Sequence, residues 1–303
     1  PSQPDPESYA DLVRGSARAI RAANPEALVI GGATADALSH NGLAWVERTF
    51  ERGMGEDIDI YSFHVYAATP EGWYDRQFPA LKALVHRYRP GIPIWQGEAG
   101  VPSIGEKGQA LSNYEWDETK QAKCALRRML LDLVLDMPFI AYFHAADFDF
   151  YIMNELVQKP YFFGLIRRET YQPKPAYFGV QSLCTLFAGD VRPAPEIDIH
   201  LAPENIPDNP APALGHAFLP GTGPLLAYWA PYDMMKRYAP RSALLKAWIP
   251  KALAIDDPVL IDPISQQVYA VPVKEVKKGE HRVEVPLADW PLFIAPRKAL
   301  PLG

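Results

Sequence analysis

The sequence predicts an α/β fold with a parallel sheet in its first 190 residues, followed by an antiparallel β-sandwich. Two observations support this prediction. Up to about residue 190, helical periodicity alternates four times with short apolar runs, which is the pattern of βα units. Beyond residue 190, prolines become frequent and turn residues separate short apolar runs, which is typical of a sandwich. We therefore expect two domains, residues 1–190 and residues 191–303.

The βα segment begins with a helix that starts at Asp5-Pro6-Glu7, because proline is tolerated in a first helical turn, and that ends at Asn24-Pro25. Buried strands are predicted at residues 27–33, 57–66, 92–98 and 138–144. Further helices are predicted near residues 42–53, 74–89, 118–136 and 174–189. Because a helical segment separates each strand from the next, we expect the four strands to be parallel.

The sandwich segment contains short apolar runs that we interpret as antiparallel strands. They lie at residues 225–229, 243–248, 259–261, 268–273 and 281–285. The proline-rich stretch at residues 203–212 is predicted to be an exposed loop.

Composition excludes some classes of partner. The net charge of -6 argues against nucleic acid, because phosphate backbones are bound by clustered Lys and Arg. No apolar run reaches the ~18 residues of a membrane-spanning helix, so we expect a soluble protein that does not contact a membrane. The sequence does not indicate a compartment.

Polar or ionisable residues follow three of the four predicted strands. His64 and Tyr66 end the second strand, Glu98 ends the third, and His144 and Asp147 follow the fourth. The carboxyl ends of parallel strands meet at one edge, which is where barrel enzymes carry out their chemistry. A buried charge costs several kcal/mol unless it is paired, so packing does not explain Glu98. We therefore predict a functional role for Glu98.

The motifs around Glu98 resemble those of a known enzyme group. Trp95-Gln-Gly-Glu-Ala-Gly100 resembles the seventh-strand motif of glycoside hydrolase clan A, and Ser62-Phe-His-Val-Tyr66 resembles the sixth strand. Lys174-Pro-Ala-Tyr177 is similar to the eighth barrel unit of family 39-like enzymes, and Pro286-Leu-Ala-Asp-Trp-Pro291 to a motif of their C-terminal sandwich. The resemblance covers most of residues 5–190 and implies a (β/α)8 TIM-barrel type of fold, of which this chain holds about four βα units.

The resemblance also implies a reaction, the hydrolysis of O-glycosidic bonds with retention. Glu98 would be the nucleophile, Tyr66 would hydrogen-bond its carboxylate, and His64 would contact sugar hydroxyls or orient the acid/base. An oligosaccharide or glycoside would be the substrate, and no cofactor or metal is expected. Residues expected to contact the sugar are Trp95, Trp116, His144, Asp147 and Phe148, with Phe150 and Tyr151 as further ring faces.

The chain departs from the clan pattern in its first half. The acid/base Glu of the clan follows Asn at the end of the fourth strand, and the four strands found here correspond to the fifth to eighth. A closed barrel needs eight strands. A four-stranded half would also expose a sheet edge and an apolar face. We therefore expect a missing segment, a partner chain or a dimer to complete the barrel and to supply the acid/base.

Two alternatives stay open. His64, Glu98 and His144, with Asp147, would bind Zn²⁺ or Mn²⁺ if the protein were a metal-dependent barrel hydrolase. A half-barrel that lacks an acid/base would instead be a carbohydrate-binding protein without turnover.

Overall fold

The computed structural model describes residues 5–153, 157–204, 213–235, 243–277 and 280–300, with the exception of the side chains of residues 149–159, 275, 277 and 280. The chain forms two compact units. The first unit contains residues up to Gly100 together with Met137–Phe143, and the second contains Val101–Asp136 and the chain from His144 onward. Among the residues described, no helix is both long enough and apolar enough to cross a membrane.

The first unit is a parallel βα sheet, as predicted. Its elements are α1 (Pro6–Ala23), β1 (Ile30–Thr34), α2 (His40–Glu51), α3 (Met54–Asp57), β2 (Ile60–His64), α4 (Tyr74–Tyr88), β3 (Ile94–Ala99) and β4 (Ile140–Tyr142). The sheet order is β1-β2-β3-β4, and each neighbouring pair is parallel. At the start of α1, the side chain of Asp5 accepts a hydrogen bond from the Ser8 backbone N–H at 2.9 Å, so the predicted helix start is confirmed.

The helices of this unit cover one face of the sheet. Phe50 of α2 packs against Tyr61, and Phe78 of α4 stacks on Phe63, with ring centroids 5.6 and 5.7 Å apart. Successive strand residues point to opposite faces, so Ser62 and His64 lie on the face that these helices leave uncovered. The candidate site described below lies on that second face.

The second unit combines two helices, a hairpin and a sandwich. Its elements are α5 (Glu118–Val134), α6 (Pro175–Leu186), β5 (Phe148–Met153), β6 (Val157–Tyr161), β7 (Val191–Pro193), β8 (His200–Glu204), β9 (Leu214–Pro220), β10 (Leu225–Trp229), β11 (Leu244–Ile249), β12 (Pro258–Asp262), β13 (Gln267–Ala270), β14 (Val273–Lys277), β15 (Glu280–Pro286) and β16 (Leu292–Pro296). The larger sheet has the order β13-β12-β16-β10-β9-β7 and the smaller has the order β14-β15-β11-β8. The predicted fold class, a parallel βα segment followed by antiparallel sheets, is therefore confirmed.

Some details of the sandwich differ from the sequence prediction. The predicted strand at residues 268–273 is interrupted, because β13 ends at Ala270 and β14 begins at Val273. Residues 203 and 204 belong to β8, whereas residues 205–212 of the predicted loop lie outside the described residues. Strands β7, β8, β9 and β16 have no counterpart in the prediction.

The inner strands of the six-stranded sheet are buried on both faces. Leu226, Tyr228 and Ile294 face a core shared with the smaller sheet, whereas Trp229 and Phe293 belong to a second core. The second core also contains apolar residues of α5 and α6, namely Leu126, Leu130, Leu131, Leu183 and Leu186. Helices α5 and α6, which precede the proposed domain boundary at residue 190, thus pack on the antiparallel sheet.

We predict that acid weakens the second unit through the half-buried His216. It lies on β9 beside the Trp229 ring, 5.4 Å between centroids, and burial lowers its pKa to about 4 from 6.5. Below pH 6.5 the unfolded chain binds a proton that the folded protein excludes until about pH 4. The free energy of unfolding should therefore fall by about 2 kcal/mol from this residue alone between pH 7 and pH 5.

Urea denaturation of the wild type and of His216→Phe at both pH values measures this contribution. The variant should show a smaller loss on acidification, whereas His200→Gln, at an exposed histidine of the same unit, should retain the full loss. Equal pH dependence in all three proteins would contradict the assignment.

Candidate functional site

Strand β3 carries one extra residue where Glu98 lies. On one side, Phe63 pairs with Gln96 and His64 pairs with Glu98; on the other, β4 shows the same slip between Gln96 and Ala99. An extra residue in one strand turns side chains out of the regular alternation, and such bulges are frequent beside active sites. The bulge gives Glu98 a direction that a regular strand would not.

The carboxylate of Glu98 has two partners at the end of β2. The Tyr66 hydroxyl donates a hydrogen bond to Oε1, and His64 Nδ1 lies 3.5 Å from Oε2. The Glu98 side chain is 32% exposed, so it is held in place and still accessible. The predicted contact between Tyr66 and Glu98 is present, and the structure brings the three residues predicted to be catalytic together.

Gln96 links the bulge to the end of β2, a role that sequence analysis missed. Its side chain is 0% exposed, and its amide Nε2 donates to the carbonyl oxygens of Val65, at 3.3 Å, and Glu98, at 3.2 Å. One buried amide therefore connects the backbone of the carboxylate to the backbone between His64 and Tyr66. A glutamine inside an apolar strand was the available signal, because a buried amide needs hydrogen-bond partners.

Gly97 lies close to the side chains of β2. A Cβ atom at this position would stand 2.0 Å from Ser62 Oγ, far inside van der Waals contact, and 3.1 Å from His64 Nε2, a tight contact. A larger residue at this position therefore has to displace the Ser62 side chain and press on the histidine beside Glu98.

We expect Gly97→Ala to cost about 1–3 kcal/mol of stability through overpacking. Because the displaced groups adjoin the carboxylate, we also expect it to lower any activity that depends on Glu98. Chemical denaturation and kinetic assays measure the two effects.

Adding Ser62→Ala to Gly97→Ala, which removes the nearest clashing atom, should recover part of the stability. Gly15→Ala is the matched control, since its site in α1 is open and alanine favours a helix. An unperturbed Gly97→Ala protein would contradict this packing.

The aromatic residues predicted to contact sugar have packing partners. In the first unit, the half-buried Trp95 stacks on Phe139 with ring centroids 4.4 Å apart. In the second unit, Trp116 donates its indole N–H to the Leu111 carbonyl at 2.8 Å and packs edge-on against Tyr114. Phe150 and Tyr151 lie among the residues whose side chains are not considered.

His144 and Phe148 stack on each other in the second unit. Their rings are 4.1 Å apart with an interplanar angle of 9°, and Tyr161 lies 5.8 Å from the histidine ring. Burial lowers the pKa of His144 to about 4, so it is neutral at pH 7. Phe148 remains 41% exposed. Of this pair, Phe148 therefore offers the more accessible ring face.

Asp147 has a different environment from the one predicted for a sugar ligand. It is 4% exposed, and its Oδ1 accepts hydrogen bonds from Lys174 Nζ at 2.7 Å and from the Gly164 backbone N–H at 2.9 Å. Lys174 is 1% exposed and also donates to Ser103 Oγ at 2.8 Å. Burial raises the pKa of Asp147 and lowers the pKa of Lys174, while their pairing opposes both shifts. A buried ion pair therefore holds this carboxylate.

The metal-hydrolase alternative needs several ligand side chains at one place. Within the described part of the chain, no group of three or more His, Cys, Asp or Glu side chains is arranged to hold a metal ion. His64 and Glu98 belong to the first compact unit, whereas His144 and Asp147 belong to the second.

Comparisons with known proteins give matches in structure alone. No protein-family model matches the chain, and no curated protein matches its sequence. An FMN-binding β-glucuronidase from Faecalibacterium prausnitzii is similar at 13% identity and a TM-score of 0.41, over 92% of this chain and 34% of its own. A Bacteroides uniformis β-glucuronidase matches at 16% identity and a TM-score of 0.42, over 93% and 28%. The chain thus spans about a third of the length of these enzymes.

A third solved structure matches over the same share of its own chain and of this one. It is an active-site mutant of a Rhizomucor miehei β-1,3-glucanosyltransferase in complex with laminaritriose, with 15% identity and a TM-score of 0.38 over 57% of each chain. At such identities and TM-scores these likenesses do not indicate a reaction for this chain.

Proposed function

We propose that this chain is part of a retaining glycoside hydrolase in which Glu98 is the nucleophile. The observation that supports the proposal is the arrangement around this carboxylate. A bulge at the carboxyl end of a parallel strand presents Glu98, Tyr66 donates to one of its oxygens, and His64 lies beside the other. The carboxylate remains partly accessible, as attack on a substrate requires.

The proposed reaction has two steps. Glu98 Oε2 attacks the anomeric carbon, the glycosidic C–O bond breaks, and an acid protonates the departing oxygen. Water then attacks the anomeric carbon from the face that the leaving group left, opposite the ester, and gives its proton to the conjugate base of the acid. The bond between the anomeric carbon and Glu98 breaks, which releases the carboxylate. Tyr66 holds Oε1 so that Oε2 is free to attack. His64 contacts a sugar hydroxyl or orients the acid/base.

The proposal requires a second carboxyl group about 5 to 5.5 Å from the nucleophile in the assembled site. We assign it to a segment or partner chain that completes the barrel beside the four-stranded parallel sheet. The substrate class is an O-glycoside or oligosaccharide. The predicted sugar contacts remain Trp95, Trp116, His144 and Phe148. Phe148 is a stronger candidate than His144, because its ring is more exposed.

The stereochemistry of hydrolysis tests the proposal. The protein, purified in its native assembly, is incubated with a panel of 2,4-dinitrophenyl glycosides, whose leaving group needs little acid assistance. Proton NMR then identifies the first anomer of the released sugar. We expect the same anomeric configuration as in the substrate. Inversion would exclude a covalent intermediate on Glu98, and saturable binding of sugars without hydrolysis would favour a carbohydrate-binding protein instead.

A further inference from the structure

A cavity in the sandwich, remote in sequence from Glu98, has the features of a second ligand site. Its volume is about 490 Å³, and all of its lining residues belong to the second unit. It lies between the two sheets on the side where β13 and β14 form the sheet edges. One wall is the connection between these strands, residues 270–272, and another is the segment 286–290 between β15 and β16. Cavities of this size accommodate small organic molecules.

The interior of the cavity is apolar, with an aromatic residue at one end. Leu260, Val285 and Leu292 contribute buried side chains from both sheets, and the half-buried Trp290 contributes its indole. Tyr269 adds a second, exposed ring. An apolar body is therefore the part of a ligand that the cavity fits best, whereas a sugar would leave several hydroxyl groups without partners.

One carboxylate in the cavity has an oxygen left for a ligand. Asp262 Oδ1 accepts hydrogen bonds from Trp290 Nε1 at 3.1 Å and from the Ile264 backbone N–H at 3.0 Å. In the described part of the chain, no hydrogen bond reaches Asp262 Oδ2, and no Lys, Arg or His pairs with this residue. The half-buried carboxylate is thus oriented through one oxygen while its charge is not neutralised.

Asp289, a buried acid of the cavity, has a cationic partner. Asp289 is 3% exposed, and Lys123 Nζ lies 2.7 Å from its Oδ1. The same ammonium group lies 4.9 Å from the centre of the Trp290 ring. Glu284 lies at the exposed rim of the cavity, where its carboxylate is 3.8 Å from Lys274 Nζ. The lining residues include no basic side chain, so among the described residues Asp262 is the acid of the cavity that has no cationic partner.

We propose that this cavity binds a small organic cation with an apolar body, such as an alkyl or aryl ammonium compound. The apolar body packs between the sheets, and the ammonium group donates to Asp262 Oδ2 near the Trp290 ring. A cation supplies the missing counter-charge, and a charge-assisted hydrogen bond is roughly twice as strong as a neutral one. The proposal does not depend on the glycosidase reaction, because Glu98, Tyr66 and His64 are not among the lining residues.

Three matched probes test the charge preference: benzylamine, benzyl alcohol and benzoate, which share the ring and differ in the polar group. Isothermal titration should show benzylamine binding about tenfold more tightly than benzyl alcohol, and benzoate not at all, because a hydrogen bond to a charged group is stronger. Asp262→Asn keeps an acceptor for Trp290 and removes the charge, so benzylamine should bind it about as weakly as benzyl alcohol. Asp190→Asn, at an exposed acid of the same unit, should bind like the wild type.

A cavity-filling variant tests the location. Val271 is half-buried and lines the cavity, so Val271→Phe should abolish binding of benzylamine and benzyl alcohol alike. Circular dichroism verifies that each variant is folded. Absence of benzylamine binding to the wild type, equal affinity for the three probes, or unchanged binding in Asp262→Asn would each overturn the proposal.

Discussion

Replacing Glu98 with alanine should lower kcat/KM for dinitrophenyl glycosides by about 10⁴-fold or more, as loss of a nucleophile does in other enzymes. The reason is that the Glu98 carboxylate itself bonds to the anomeric carbon. This bond begins to form in the transition state and is absent from the bound substrate, so its loss lowers the rate of the chemical step. Tyr66 and His64 remain in place in the variant and have no group to orient. Initial-rate kinetics on the assembled protein measure the loss.

Added azide or formate should restore part of the activity of Glu98→Ala, since the space left by the side chain admits a small anion as a substitute nucleophile. Azide should yield a glycosyl azide of inverted configuration. Glu26→Gln, at an exposed glutamate of the same unit, serves as the control and should have wild-type rates. Wild-type activity in Glu98→Ala would remove this residue from the mechanism.

Replacing Lys174 with methionine should destabilise the protein by about 3–5 kcal/mol. The substitution leaves Asp147 buried without its ammonium partner, and the Coulombic gain that offset its desolvation is lost. Ser103 also loses a donor. Urea denaturation at pH 7 measures the free energy of unfolding.

A second substitution separates the charge from the packing. Adding Asp147→Asn to Lys174→Met removes the unpaired charge and retains an acceptor for the Gly164 N–H, so part of the lost stability should return. The exposed pair of Arg297 with Asp257 is the matched control, and Arg297→Met should cost at most about 1 kcal/mol. Equal losses for Lys174→Met and Arg297→Met would show that burial does not strengthen the dependence on pairing.

The sequence was sufficient to predict the parallel sheet and the meeting of Glu98 with Tyr66 and His64. Strand periodicity identifies β2 and β3 as neighbours in a βα series, and their carboxyl ends then fall side by side. The bulge in β3 and the link through Gln96 were not predictable in this way. Both depend on the register between strands, which hydrophobic pattern alone does not specify.

Asp147 shows why the position after a strand is an incomplete guide to function. Its neighbours in sequence suggested an open strand end, but its partner is Lys174, 27 residues further along the chain. Likewise, the sequence predicts the helix near residues 118–136, but not that Leu126 and Leu130 pack against the antiparallel sheet. Long-range pairing of this kind is set by tertiary packing, which local periodicity does not determine.

Trapping of the covalent intermediate tests the central claim most directly. Fluorine at C2 of a dinitrophenyl glycoside slows both steps by destabilising the oxocarbenium-like transition states, while the good leaving group keeps the first step fast enough for the intermediate to accumulate. Mass spectrometry of the inactivated protein should show one fluoroglycosyl group per chain, on a peptide that contains Glu98. A label on any other carboxylate, or hydrolysis with inversion and no label, would contradict the account.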